Sequence, residues 1–139
     1  KLEQSEFKVF RENINWKVIP EITGDEAYLP KMETDISLKS ERRKIIIDTK
    51  YYKEALKYHY GREKIISSNL YQIHAYVKNQ VTPDDILAQK CDGVLLYPSV
   101  NKTISKSYKM DNHKITIQTI NLNQDWRKIR EDLLEIIDI

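Results

Sequence analysis

Lys44-Ile45-Ile46-Ile47-Asp48-Thr49-Lys50-Tyr51-Tyr52 is the stretch on which the fold turns. Three consecutive isoleucines mark a strand buried on both faces. Asp48 and Lys50 then follow with one residue between them. In an extended chain both side chains point the same way, about 6.5 Å apart. The most apolar strand of the chain thus ends in two opposite charges that emerge from the core.

Outward from it, Met32–Leu38 (METDISL) alternates, with Ile36 and Leu38 on one face and Asp35 and Ser37 on the other. The short polar link Ser40–Arg43 predicts an antiparallel hairpin between the two strands, which can bring Asp35 close to Asp48. Two adjacent carboxylates repel unless a cation lies between them. Hard oxygen ligands suit Mg²⁺, with Mn²⁺ as the substitute, and Thr49 could add its backbone carbonyl. Lys50 beside such an ion could touch a phosphate and an attacking water, which is what phosphodiester hydrolysis requires. A D-x-K tripeptide alone is common, and a strand-end salt bridge is the bland reading of it.

The rest of the chain is read more coarsely. Phe7–Ile19 partly alternates and predicts one or two strands; Glu21–Lys31, with Gly24 and Pro30, predicts a loop. Residues 52–68 read as a loop with a short helix. Ser67, Ser68 and Asn69 are good N-caps for a helix carrying Leu70, Ile73 and Val77 at helical spacing. Gln72 and Tyr76 are four apart and share another face of it. Cys91–Pro98 reads as an apolar strand, Ile104–Met110 and Lys114–Leu122 as a hairpin around Asp111-Asn112-His113. The last helix should start at Asn123 or Asp125 and bury Trp126, Ile129, Leu133 and Ile136 or Ile137. The fold class is mixed α/β.

Composition narrows the rest. A single domain over residues 1–139 suits the length, and 40% hydrophobic residues suffice for a core. Three glycines and four prolines leave little room for linkers. No apolar run reaches the roughly 18 residues of a membrane span, and KLEQSEFKVF lacks an apolar leader core. The lone Cys91 excludes an internal disulfide and a cysteine-ligated cluster, and suits a cytoplasmic setting; it reads as a small buried residue. His59, His74 and His113 are not at ligand spacing and read as surface or hydrogen-bonded side chains. Net charge is +2, yet residues 39–64 hold nine Lys/Arg against four acids, with Tyr51, Tyr52, Tyr58 and Tyr60 among them. That pattern suits a polyanion such as nucleic acid, and a solvated loop with ordinary surface lysines is the bland reading of it.

Asp35, Asp48-Thr49-Lys50 and Gln72-x-x-x-Tyr76, in that order, resemble the PD-(D/E)xK nuclease superfamily in its RecB-like version with a QxxxY motif. LPKMETDISL, IIIDTKYY, SSNLYQIHAYV and GVLLYP resemble the McrC-like nuclease subunits of modification-dependent (5-methylcytosine) restriction systems. The resemblance implies a restriction-endonuclease-like core, a central mixed sheet flanked by helices. It implies Asp35 and Asp48 as metal-binding acids, Lys50 as catalytic lysine, and Gln72 and Tyr76 as helix residues that support the site. It also implies Mg²⁺-dependent cutting of DNA beside a separate GTP-hydrolysing AAA+ motor subunit. No GxxxxGK[ST] occurs here, in keeping with a motor on another chain. Two departures stand out. Thr34 occupies the place of the proline in the superfamily's name, and the first-helix glutamate has no counterpart in pattern among Glu3, Glu6 and Glu12. The chain therefore reads as the C-terminal part of a longer protein, without its first core helix. The alternatives are a RecB-like repair exonuclease and a catalytically silent nuclease-like module that binds DNA or a partner.

Overall fold

A computed structural model describes residues 7–50, 56–59, 62–99 and 103–138, with the backbone course alone at 56–59, 62 and 63. The strands are β1 (Lys8–Phe10), β2 (Asn13–Ile14), β3 (Met32–Glu33), β4 (Ile36–Lys39), β5 (Lys44–Thr49), β6 (Leu56–His59), β7 (Arg62–Ile65), β8 (Asp92–Ser99), β9 (Ser105–Met110) and β10 (His113–Asn121). The helices are α1 (Ser67–Asn79), α2 (Ile86–Gln89) and α3 (Trp126–Asp138).

The triple isoleucine lies where its composition demands, inside the six-stranded sheet β1-β4-β5-β8-β10-β9. β4 runs antiparallel to β5 through the expected hairpin, while β5, β8 and β10 are parallel. β1 and β9 close the edges antiparallel. A parallel neighbour needs a crossover, and α1 lies in the one between β5 and β8. Helices cover both faces. Ile46, Leu95, Ile115 and Ile117 pack against Ile73 and Val77 of α1. Ile45, Ile47, Val94, Leu96 and Ile120 pack against Ile129, Leu133, Ile136 and Ile137 of α3. Residues alternate between these two cores along β5, so Lys44, Ile46 and Asp48 all face α1.

Gly93 sets how closely α1 approaches. A Cβ there would lie 2.8 Å from Ile73 Cγ1, 3.0 Å from Ile115 Cδ1 and 3.2 Å from Val77 Cγ1. Gly93→Ala is therefore expected to destabilise the fold by about 1–3 kcal/mol through overpacking. A urea midpoint equal to that of the parent protein would contradict this packing.

Several expectations are corrected. The METDISL strand is broken into β3 and β4 by a bend at Asp35. The segment read as a loop with a short helix contains the hairpin β6–β7 instead, paired Leu56↔Ile65 to His59↔Arg62; short, charged strands carry little alternation to read. The side chains of Lys53, Lys57, His59, Arg62 and the four tyrosines lie outside the described residues. Helix α1 is capped by extended Ile66 with no side-chain cap, and Ser67, Ser68 and Asn69 already form its first turn. Asn69 spends its amide on the Tyr97 hydroxyl (2.8 Å). For α3 the cap is Asp125, whose Oδ1 accepts from Arg127 N at 2.8 Å. Trp126 is 65% exposed rather than core. Helical period puts it on the apolar stripe, but the stripe is buried only where sheet lies beneath it. Two expectations hold: His113 is hydrogen-bonded, its Nδ1 2.7 Å from the Cys91 carbonyl oxygen, and Cys91 is fully buried. Among the described residues no helix is long and apolar enough to cross a membrane.

Candidate active site

The β4–β5 register pairs Ile36 with Ile47, which carries Asp35 opposite Asp48 at the end of the ladder. Asp48 is 3% exposed and Lys50 follows on the same face. Lys50 Nζ lies 2.7 Å from Asp48 Oδ2. Apart from that ammonium, this buried oxygen meets no hydrogen-bond donor among the described residues. Asp35 Oδ2 accepts from Thr49 N (2.9 Å) and Thr49 Oγ1 (3.0 Å), tying the bend to the end of β5.

Helix α1 supplies the other wall. Lys50 Nζ donates to Gln72 Oε1 at 2.5 Å, and Gln72 Nε2 donates to the Tyr76 hydroxyl at 2.9 Å. One turn of helix separates Gln72 and Tyr76, so the second braces the first. The order along the site is Asp35, Thr49, Asp48, Lys50, Gln72, Tyr76, drawn from β4, β5 and α1.

Burial pushes the Asp48 carboxyl above the ordinary carboxylate value; the Lys50 ammonium pulls it back and the Asp35 charge adds to the rise. The site therefore combines a desolvated carboxylate, a second carboxylate opposite it, and an ammonium whose position is set by an amide. A buried carboxylate with a second one nearby is a donor set of the kind that hard cations accept. Among the described residues no cluster of three or more His, Cys, Asp or Glu could hold a metal ion. Two carboxylates are what Mg²⁺ commonly takes from protein, with water and phosphate completing its shell.

The sequence reading passed over a second polar group on the same face. Glu12 pairs with buried Lys44 (3.0 Å), which also donates to Gln80 Oε1 (2.9 Å). Ser37 Oγ donates to Glu12 Oε1 (3.0 Å) and lies 2.9 Å from Thr34 Oγ1. Part of this was visible: Lys44 alternates with Asp48 along β5, and Gln80 stands eight residues after Gln72 on one helix face. Nothing in the sequence placed Glu12 beside them.

Residues 5–98 match the family described as McrBC 5-methylcytosine restriction system component. The chain is also 38% identical, over 110 residues, to a curated Escherichia coli (strain K12) protein named type IV methyl-directed restriction enzyme EcoKMcrBC. That match takes in 79% of this chain and 31% of the relative, so the chain spans about a third of that protein's length. The matched stretch contains the whole β4–β5–α1 site, and the chain belongs to the McrBC restriction-system component family.

Proposed function

We propose that this chain is the Mg²⁺-dependent DNA endonuclease domain of an McrBC-type restriction system, built on a PD-(D/E)xK core. The observation that carries the reading is the buried Asp48 carboxylate, with Asp35 across the hairpin and the Lys50 ammonium 2.7 Å from its Oδ2. Asp35, Asp48 and the Thr49 carbonyl would hold the ion. Bound Mg²⁺ would make a water nucleophilic and neutralise phosphate charge. Lys50 places its ammonium where negative charge builds on the phosphorane. Gln72 aims Lys50 and Tyr76 fixes Gln72, so the helix and Asp48 together set where the ammonium lies. The substrate is DNA, and recognition of the modified base falls to a GTP-hydrolysing AAA+ motor partner.

The experiment is cleavage of methylated plasmid by the full-length protein with its motor, GTP and Mg²⁺, and with Mn²⁺ in its place. Linear product that disappears on chelation supports the reading. The absence of a third acid beside Asp35 and Asp48 among the described residues favours one rival, a silent module that binds DNA without cutting. Retained DNA binding with no nicking under any divalent ion would establish that rival. Exonucleolytic shortening of linear DNA without a motor would instead point to a repair exonuclease.

Metal binding should also depend on pH. The raised Asp48 pKa means that the carboxyl must lose a proton to accept the ion. Apparent Mg²⁺ affinity is therefore expected to climb with pH through the Asp48 ionisation, by up to about tenfold per unit, and then level off. Calorimetric titration over the acidic range checks this, and a flat profile would remove Asp48 as a ligand.

A further inference from the structure

Asp35 lies in a bend between β3 and β4, outside the regular ladder that holds Asp48. A residue in a bend is fixed by its own side-chain contacts and by what holds its neighbours. A proline before it would fix φ through its ring; Thr34 has no ring, keeps its N–H and is fully buried. Both of its polar ends are satisfied by one residue. Thr34 N donates to Glu12 O (3.0 Å) and Thr34 Oγ1 accepts from Glu12 N (3.0 Å). The same hydroxyl meets Ser37 Oγ at 2.9 Å, on the far side of the bend. Ser37 Oγ in turn donates to the Glu12 carboxylate. Thr34, Glu12 and Ser37 thus close a ring of hydrogen bonds beside Asp35.

The ring is anchored in the core. Glu12 holds Lys44, which is 7% exposed, at the start of β5. Lys44 donates to Gln80, whose amide donates to the Val77 and Ala88 carbonyls. The chain of bonds therefore runs from the C-terminal end of α1, across β5, to the residue before Asp35. Its far end is the helix that also carries Gln72. From that bend Asp35 Oδ2 accepts from Thr49 N at 2.9 Å.

We propose that Thr34, clamped by Glu12 and Ser37, is a positioning residue that holds the Asp35 carboxylate opposite Asp48. The consequence for divalent-ion affinity rests on the metal reading above; the effect on Asp35 itself does not. Two variants separate positioning from plain stability. Thr34→Val keeps the volume and loses the hydroxyl; Thr34→Ser keeps the hydroxyl and loses a methyl group. In the metal-free full-length protein, the Thr49 amide bonded to Asp35 Oδ2 is expected to exchange its hydrogen about tenfold faster in the Val variant. In the Ser variant it should match the parent, even where that variant melts at lower temperature. Mn²⁺ affinity, titrated calorimetrically, should fall about tenfold or more in the Val variant and hold in the Ser variant. Unchanged Thr49 exchange in Thr34→Val, or exchange that simply follows melting temperature across both variants, overturns the proposal. Parent-like Mn²⁺ binding by Asp48→Asn would overturn the metal reading instead, and the exchange result would still decide the role of Thr34.

Discussion

On the proposed endonuclease reading, Asp48→Asn is expected to reduce DNA cleavage at least about a thousandfold while leaving assembly with the proposed motor partner and its GTP hydrolysis intact. The substitution conserves shape and removes the one charge that the buried oxygen offers a cation. Losing several kcal/mol of charge stabilisation at a phosphate corresponds to a factor of this size. The metal-free protein should behave in the opposite direction. A carboxyl whose folded pKa is raised above its unfolded value favours the folded state when protonated. That contribution is fully present below the ordinary carboxylate pKa of about 3.9 and is lost as pH rises through the folded value. Neutral Asn has no such loss, so Asp48→Asn should melt at a higher temperature than its parent at neutral pH, with the gap closing on acidification. Near-parental cleavage in this variant would refute the mechanism. Loss of motor binding would make the site an assembly element instead.

Lys50→Met is the second large effect, expected to lower the cleavage rate by about a hundredfold to ten-thousandfold. The methionine keeps the unbranched stem and removes the ammonium that lies 2.7 Å from Asp48 Oδ2. Two results should appear together. The cleavage rate with saturating Mg²⁺ falls, because charge on the phosphorane goes unanswered. The Asp48 carboxyl rises further, because a cation that lowers its pKa is gone; metal binding then needs a higher pH than in the parent. Lys50→Arg should not restore the parental rate, since a planar fork cannot occupy the point that Gln72 Oε1 and Asp48 Oδ2 define around one nitrogen. A Met variant that cuts as fast as its parent would leave Lys50 as a structural ion pair. An Arg variant at parental rate would show that only net charge matters at that position.

Gln72→Ala tests the same logic more gently, because it leaves Lys50 in place and removes only the amide that aims it. The structural basis is plain: Gln72 is itself held by the Tyr76 hydroxyl, one helical turn on. The site is therefore a relay of three elements rather than a single motif on a loop. Two of those elements are consecutive strands, and their pairing is local. The third must be brought over the sheet by the crossover that makes β5 and β8 parallel.

What the sequence by itself determined was whatever is written in local period and adjacency. Ile45-Ile46-Ile47 could only be a central strand, because a segment without a polar face has to be covered on both sides. The two-residue period placed Asp48 and Lys50 together, and the short link at Ser40–Arg43 paired β4 beside β5, with Asp35 just before it. Gln72 and Tyr76 shared a face because a helix turns every 3.6 residues. Tertiary structure alone decided the rest. It chose Thr34 and Glu12 as partners across 22 residues, ended β3 early to make the bend at Asp35, and left Trp126 in solvent. It also raised the Asp48 pKa, since desolvation depends on how much protein closes over a carboxylate rather than on its neighbours in the chain. Period and spacing tell which way a side chain points; burial and long-range partners depend on what the folded chain brings there to meet it.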